Sequence, residues 1–147
     1  MDNDHQYFMQ RAIVLAKQGK NSGNGAFGAV VVMDGEIIAE SHNTVNESTD
    51  CTQHAELAAI QKACSTLQNK DLGQCILYTS CEPCMMCLGA CYWANFKTIY
   101  YGASSKDAKD FGYIYSEMYY ASEENKRREE FKLKQLLRDE AVAVWKD

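Results

Sequence analysis

The sequence lacks the features of several protein classes. No apolar run approaches the roughly 18–20 residues that a membrane-spanning helix needs, so we expect no membrane span. The stretch from Met1 to His5 is acidic and polar, unlike a secretory signal, which predicts a cytoplasmic protein. The formal charge is −5, and this disfavours a long nucleic-acid interface, which requires a basic face. Proline is nearly absent, since Pro83 is the only one, and we find no internal repeat, low-complexity segment or linker.

The composition that remains is that of a globular domain. The chain has 147 residues, of which 46% are hydrophobic and 24% charged. This length is sufficient to bury a core and is typical of one domain, so we expect residues 1–147 to fold as a single unit.

The pattern of apolar residues predicts alternating helices and strands. We expect helices at 2–18, 52–67 and 83–94, and strands at 29–33, 36–42, 75–78 and 97–101. The order α-β-β-α-β-α-β places a helix between the last two strands, so at least part of the sheet is parallel and the fold class is α/β. For the remainder we expect a loop at 102–112, an ambiguous aromatic stretch at 113–120, one solvated amphipathic helix at 122–139 and a short apolar tail at 141–145.

The cysteines indicate a metal site. Seven cysteines are an odd number for a disulfide framework, and without an export signal we expect reduced thiols. Cys81, Cys84 and Cys87 follow one another at three-residue spacing after an apolar run, and His54 begins a helical pattern upstream. Zinc prefers thiolate and imidazole ligands, and a catalytic zinc keeps three of them and leaves the fourth position to water.

Pro83 favours one cysteine pair over the other. Proline suits the first turn of a helix, which puts Cys84 at the helix start and Cys87 three residues later on the same face. We therefore expect His54, Cys84 and Cys87 to bind Zn²⁺. Cys81 precedes the helix and is the alternative ligand, or a residue close to the ion but not bound to it.

Glu56 has the position of a proton carrier. It lies two residues after His54, and helix positions i and i+2 diverge, so the two side chains are not expected to bind one ion in the same way. A carboxylate beside the open coordination position can take a proton from water and pass it to a substrate. The combined pattern His-x-Glu … Pro-Cys-x-x-Cys is that of zinc-dependent base deaminases. Two other readings are a closed structural zinc site, in which Glu56 is a surface acid, and a redox pair, which leaves His54 unexplained.

These motifs resemble the cytidine deaminase-like superfamily. The similar stretches are 27–31, 42–45, 54–56 and 81–90, and the resemblance extends from about residue 6 to 105. Within the superfamily, the segments 76–84 and 90–94 are most similar to the bacterial guanine deaminases. The resemblance implies a three-layer αβα sandwich around a mixed sheet of mostly five strands, and a homodimer.

The resemblance also implies roles for individual residues. It places zinc on His54, Cys84 and Cys87, with Glu56 as the proton shuttle. It further implies that Asn43 hydrogen-bonds a base, while Phe27 and Trp93 form walls against the ring. An amide that donates and accepts, together with aromatic faces, suits a planar heterocycle. Core packing of Phe27 and Trp93 and a turn role for Asn43 are the alternatives.

The chain departs from the resembling family after the fourth predicted strand. The guanine deaminases carry a Gly-Phe-Asp-Asp segment there, whose second aspartate takes part in purine recognition. Here the segment 106–113 is shorter, and Asp110 is the nearest candidate for that role. The C-terminal residues 113–147 are expected to close the site or to form the dimer interface, with Trp145 and Asp147 as candidates for a lid.

The sequence thus predicts a zinc-dependent hydrolase that deaminates a free nucleobase, with guanine as the first substrate to test. A cytosine or nucleoside deaminase is the nearest alternative. A tRNA adenosine deaminase fits less well, because the dense basic run at 126–128 lies among glutamates. A zinc-stabilised binding module without turnover is the alternative from another class, and an intact Glu56 disfavours it.

Overall fold

The computed structural model describes residues 2–146, so Met1 and the predicted lid residue Asp147 lie outside the described residues. The strands are β1 (Gly28–Met33), β2 (Glu36–His42), β3 (Cys75–Cys81), β4 (Thr98–Ala103) and β5 (Leu133–Gln135). The helices are α1 (Asp2–Asn21), α2 (Val45–Ser48), α3 (Ala55–Leu67), α4 (Met85–Ala94), α5 (Ser105–Asp110), α6 (Glu117–Ala121), α7 (Glu124–Glu130) and α8 (Arg138–Lys146).

The five strands form one mixed sheet in the order β2-β1-β3-β4-β5. Strand β1 pairs antiparallel with β2 and β3, whereas β3, β4 and β5 are parallel. Asp34 and Gly35 join β1 to β2 in a tight turn in which both residues have positive φ, as a two-residue hairpin requires. The predicted α/β class and the partly parallel sheet are confirmed.

Helices cover both faces of the sheet. Helices α3 and α4 pack on one face, over a core that includes Val31, Leu77 and Ile99. Helices α1 and α8 pack on the other, where Val30 and Tyr78 meet Met9 of α1. Alternate residues of each central strand therefore enter different cores, which explains why these strands have no polar alternation. The three-layer αβα arrangement is confirmed.

The predicted helix at 122–139 is wrong. The structure has helix α7, strand β5 and the start of α8 in its place, because Lys132 and Leu137 adopt left-handed backbone conformations with φ of 59° and 56° that interrupt a helix. Between these two breaks, Leu133 pairs with Ile99 and becomes buried at the sheet edge.

Two further predictions about the C-terminal third are also wrong. The apolar tail predicted at 141–145 is helical, because Ala141, Val142 and Val144 are the buried face of α8. The loop predicted at 102–112 contains helix α5, which begins with a capping box between Ser104 and Asp107. Within residues 2–146, no helix combines the length and apolarity needed to cross a membrane.

Candidate metal centre and active site

Three potential metal ligands meet where helices α3 and α4 begin. His54 is the N-cap of α3, Cys84 is the N-cap of α4, and Cys87 lies in the first turn of α4. His54 Nδ1 lies 3.5 Å from the Sγ atom of each cysteine. The three donor atoms lie within 4.8 Å of one another, and no other group of three such side chains occurs in the part of the chain that the structure describes.

The local environment favours ionisation of one of the two thiols, that of Cys84. Both helices point their N-terminal N–H groups at the cluster, and the positive end of a helix stabilises a thiolate. The hydrogen bond from Cys87 lowers the pKa of Cys84 to about 4, and the same hydrogen bond raises the pKa of Cys87. Two thiols this close oppose each other's ionisation unless a positive charge lies between them.

This donor set fits zinc. Two thiolates and one neutral imidazole are soft and borderline ligands of the kind zinc binds, and their two negative charges balance those of the ion. Cys81 does not belong to the cluster. Its buried Sγ instead lies 3.1 Å from the hydroxyl of Tyr115, and burial raises the pKa of this thiol.

Glu56 is a buried carboxylate beside the cluster. Only 6% of the residue is exposed, although it lies in the first turn of helix α3. Burial raises the pKa of Glu56 to about 7, and the nearby charge of Cys84 adds to the effect. Glu56 is not one of the clustered donors, in keeping with the divergence of helix positions i and i+2.

Glu56, His54 and Cys84 share a small cavity with groups suited to bind a ring. Its volume is about 60 Å³, and it is lined by Phe27, Asn43, His54, Glu56, Cys81, Cys84 and Tyr115. The side-chain Oδ1 of Asn43 accepts a hydrogen bond of 2.9 Å from the N–H of Val45, which fixes the orientation of the amide. The backbone N–H of Asn43 donates to the Phe27 carbonyl, so these two lining residues are held together.

The C-terminal segment covers the Phe27 wall of the cavity. Tyr113 and Trp145 contact the Phe27 ring at centroid distances of 4.9 and 5.7 Å. The indole N–H of Trp145 donates to the Ala26 carbonyl at 3.0 Å. Trp145 therefore anchors the end of helix α8 against the residues that line the cavity.

The structure does not bring Trp93 and Asp110 to this cavity. Trp93 is 81% exposed on the outer face of α4 and contacts the ring of Tyr92, because the inward face of that helix is occupied by Cys87 and Cys91. Asp110 is the exposed last residue of α5. Within the single chain, Trp93 and Asp110 therefore do not line this cavity, and their contacts with the base stay predictions.

Tyr115 is a lining residue that the sequence did not reveal. Its hydroxyl donates to the Glu82 carbonyl at 2.5 Å, and its ring packs edge-on against Tyr119. The only signal was its position in an aromatic stretch, and such a stretch equally suits an interface. Its place in the cavity depends on contacts more than 30 residues apart in sequence.

Comparison with known proteins identifies the class. Residues 2–103 match the model of the cytidine and deoxycytidylate deaminase zinc-binding region. The chain therefore belongs to this deaminase family, and it is a zinc-dependent aminohydrolase.

Individual relatives narrow the comparison. The chain is 52% identical over 126 residues to guanine deaminase from Bacillus subtilis (strain 168), and the aligned region covers 82% of this chain and 81% of the relative. The crystal structure of guanine deaminase from that species matches with a TM-score of 0.76 and 53% identity over 79% of this chain and 74% of the other. A structure of guanine deaminase from Nitrosomonas europaea matches with a TM-score of 0.82 at 27% identity, over 95% of this chain and 81% of the other. A tRNA-specific adenosine deaminase from Aquifex aeolicus is 40% identical over 69% of this chain and 67% of its own length.

Proposed function

We propose that this chain hydrolyses guanine to xanthine and ammonia, acting on the free nucleobase in the cytoplasm. The observation that carries the proposal is the enclosed cavity in which a buried carboxylate, Glu56, lies beside the clustered donors of His54, Cys84 and Cys87. Guanine is supported over other bases by the similarity to guanine deaminases, which extends over most of the chain.

His54, Cys84 and Cys87 are proposed to hold the zinc ion. When bound, zinc supplies Lewis acidity that makes a water molecule nucleophilic near neutral pH. The protein positions the ligands rigidly, since each one lies at the N-cap or in the first turn of a helix packed on the sheet. A fixed donor set preserves the open coordination position that a catalytic site needs.

Glu56 is proposed to carry protons between water and the base. Its burial excludes bulk solvent, so that the cavity is the route by which its carboxylate exchanges a proton. As a base it accepts a proton from the attacking water, and as an acid it delivers that proton to a ring nitrogen or to the leaving amine. Ammonia leaves and a carbonyl remains on the ring.

Phe27 and Asn43 are proposed to orient the substrate. The Phe27 ring offers a flat apolar face, and its position is fixed by Tyr113 and Trp145. The Asn43 amide, held by its hydrogen bond to Val45, offers donors to ring nitrogens and oxygens. Neither Trp93 nor Asp110 lines the cavity of the single chain, so we assign them no contact with the base within one protomer.

The size of the cavity favours a small substrate. With a volume of about 60 Å³, the cavity is small. Tyr115 is the lining residue from the segment beyond strand β4, and we propose that this segment moves outward to admit the base. A nucleoside or a tRNA loop demands a larger displacement.

The test is ammonia release by the zinc-loaded protein from guanine, guanosine, adenine, adenosine, cytosine and cytidine, with Glu56→Gln as the control. We expect turnover of guanine, and we expect the control to lose about 10²–10⁴-fold in rate while it keeps its zinc, which is the range for general acid–base groups. Turnover of cytosine alone would show that the substrate is a pyrimidine base and that the assignment to guanine is wrong. Full activity of the control would refute the role of Glu56.

We also propose that the protein is a homodimer that associates through the outer face of α4. Tyr92 and Trp93 are 60% and 81% exposed there, and Met85 and Met118 extend the apolar surface. Large exposed apolar patches mark interaction sites. Sedimentation of the zinc-loaded protein at micromolar concentration should give the mass of a dimer, and a monomer would contradict the proposal.

A further inference from the structure

Glu82 is a buried carboxylate that the proposed reaction does not use. It lies in the turn between Cys81 and Cys84, its side chain has no exposed surface, and it does not line the cavity. A carboxylate removed from water has to be paired, because an unpaired buried charge is prohibitively costly. The partners of Glu82 therefore indicate what the residue holds in place.

Among residues 2–146, the three N–H donors to this carboxylate all come from the chain beyond strand β4. Oε1 accepts from the backbone N–H of Ser105 at 2.8 Å and from the guanidinium of Arg128 at 3.4 Å. Oε2 accepts from the guanidinium of Arg127 at 3.2 Å. Three residues that follow Glu82 by 23, 45 and 46 positions in the sequence thus converge on its side chain, beside the proposed zinc ligands.

The backbone of the same turn is held by the same segment. The hydroxyl of Tyr115 donates to the Glu82 carbonyl, and the hydroxyl of Tyr119 donates to the Pro83 carbonyl at 2.7 Å. The guanidinium of Arg127 lies 4.2 Å above the Tyr119 ring and donates to the Tyr119 carbonyl at 3.1 Å. One connected network thus joins Tyr115, which lines the cavity, to the turn that precedes Cys84.

The network is poorly suited to stability alone. Within the described residues, Arg127 and Arg128 each bury an Nε–H group that has no hydrogen-bond partner. Replacement of buried ion triads by apolar residues of similar volume is often neutral or stabilising. The arrangement therefore suggests that the charges are present because they specify a geometry.

We propose that Glu82 is a positioning residue that uses Arg127 and Arg128 to fix the turn presenting Cys84 relative to the segment presenting Tyr115. The inference rests on the proposed function, in which Cys84 binds zinc and the cavity binds the base. Removal of the carboxylate charge should therefore change two properties together, the affinity for zinc and the KM for the base.

The experiment compares Glu82→Gln with Glu40→Gln in the 147-residue protein. Glu40 pairs with Arg11 on the partly exposed surface of strand β2, so this control removes a glutamate–arginine pair that does not contact the site. Zinc affinity is measured by competition with a chelator. Ligand geometry is measured from the thiolate-to-metal absorption band of the Co²⁺-loaded protein, and kcat and KM are measured with the base that the panel identifies.

We expect Glu82→Gln to weaken zinc binding about tenfold, the lower end of the effect of residues that support metal ligands. The Co²⁺ band should change and KM should rise, whereas Glu40→Gln should match the unchanged protein in all three measurements. If Glu82→Gln does not fold, Arg128→Met replaces it, because Arg128 is partly exposed and its loss leaves Arg127 in place. Unchanged zinc affinity and KM in the folded variant would overturn the inference.

The triple variant Glu82→Met, Arg127→Leu, Arg128→Leu separates positioning from stability. We expect it to unfold near the temperature of the unchanged protein but still to bind zinc and base more weakly. Recovery of both affinities together with stability would show a structural role only and overturn the inference. Cys84→Ser separates a failure of the proposed ligand set from a failure of the inference about Glu82. If Cys84→Ser keeps full zinc affinity, the proposed ligand set is wrong. If Cys84→Ser loses zinc while Glu82→Gln keeps full zinc affinity, only the role of Glu82 is wrong.

Discussion

Replacement of Gly102 by alanine should push helix α8 away from strand β4. A Cβ atom at this position would lie 2.5 Å from the Cβ of Ala141 and 2.7 Å from the carbonyl oxygen of Ser80. Carbon atoms pack at about 3.5–4.0 Å, so the contact requires a displacement of about 1 Å. Ser80 belongs to the central strand β3, and therefore α8 is the element that should move.

The expected loss of stability is that of an overpacked core. Such substitutions typically cost about 1–3 kcal/mol, and a chain of this size loses about 2–4 °C in Tm for each kcal/mol. We expect a decrease of about 4–8 °C for a cost of about 2 kcal/mol. Because α8 ends in Trp145, which packs on Phe27, the KM for the base should rise as well.

Thermal and urea unfolding of Gly102→Ala and of the unchanged protein measure the effect. The double variant Gly102→Ala, Ala141→Gly removes the nearer clash and should recover part of the KM. An unfolding midpoint of Gly102→Ala equal to that of the unchanged protein would refute the close packing of α8 on β4.

Two other predictions concern the donor cluster and the pH dependence of folding. Cys84→Ser and Cys87→Ser should each lose zinc, measured by metal analysis after dialysis against a weak chelator. Cys81→Ser should retain zinc, because the Sγ of Cys81 pairs with Tyr115 outside the cluster. Equal zinc content in all three variants would contradict the donor set. A hydrogen bond from Arg138 lowers the pKa of Asp107 to about 2, from 3.8, so its contribution to stability is complete above about pH 4 and is lost as the pH falls towards 2. After a discount for solvent screening, this contribution is about 1 kcal/mol. In urea titrations, Asp107→Asn should reduce the change of the unfolding free energy over that pH range by this amount. A pH dependence identical to that of the unchanged protein would show that the Asp107–Arg138 pair does not cause it.

The first two thirds of the fold followed from sequence because its elements are long and strongly patterned. The hairpin turn at Asp34 and Gly35 and the helix starts at His54 and Cys84 are local features that nearby residues determine. Strand β5 escaped prediction because three residues are too few for an alternating pattern, and its existence depends on pairing with Ile99.

The difference between local features and contacts of distant residues also applies to the candidate site. Helix geometry predicted that Cys84 and Cys87 share a face, whereas the pattern shared with base deaminases predicted that His54 and Glu56 meet them. The sequence did not reveal Tyr115 or Glu82, since their partners lie on elements far apart in sequence. The direction of Trp93 was also not predictable from neighbouring residues, since it depends on which face of α4 is buried.

The order of the elements along the chain has a consequence for biogenesis. Every donor of the metal cluster, together with Glu56, precedes the end of strand β4, whereas Tyr115 and helix α8 follow it. Chains emerge from the ribosome with the N-terminal part first. When the chain has been synthesised to the end of β4, it therefore contains the complete ligand set in an open cleft. The edge of the apolar strand β4 is not yet paired with β5 at that point. Metal delivery can thus precede enclosure during synthesis, because the segment that covers the strand edge and shuts the cleft is translated after β4.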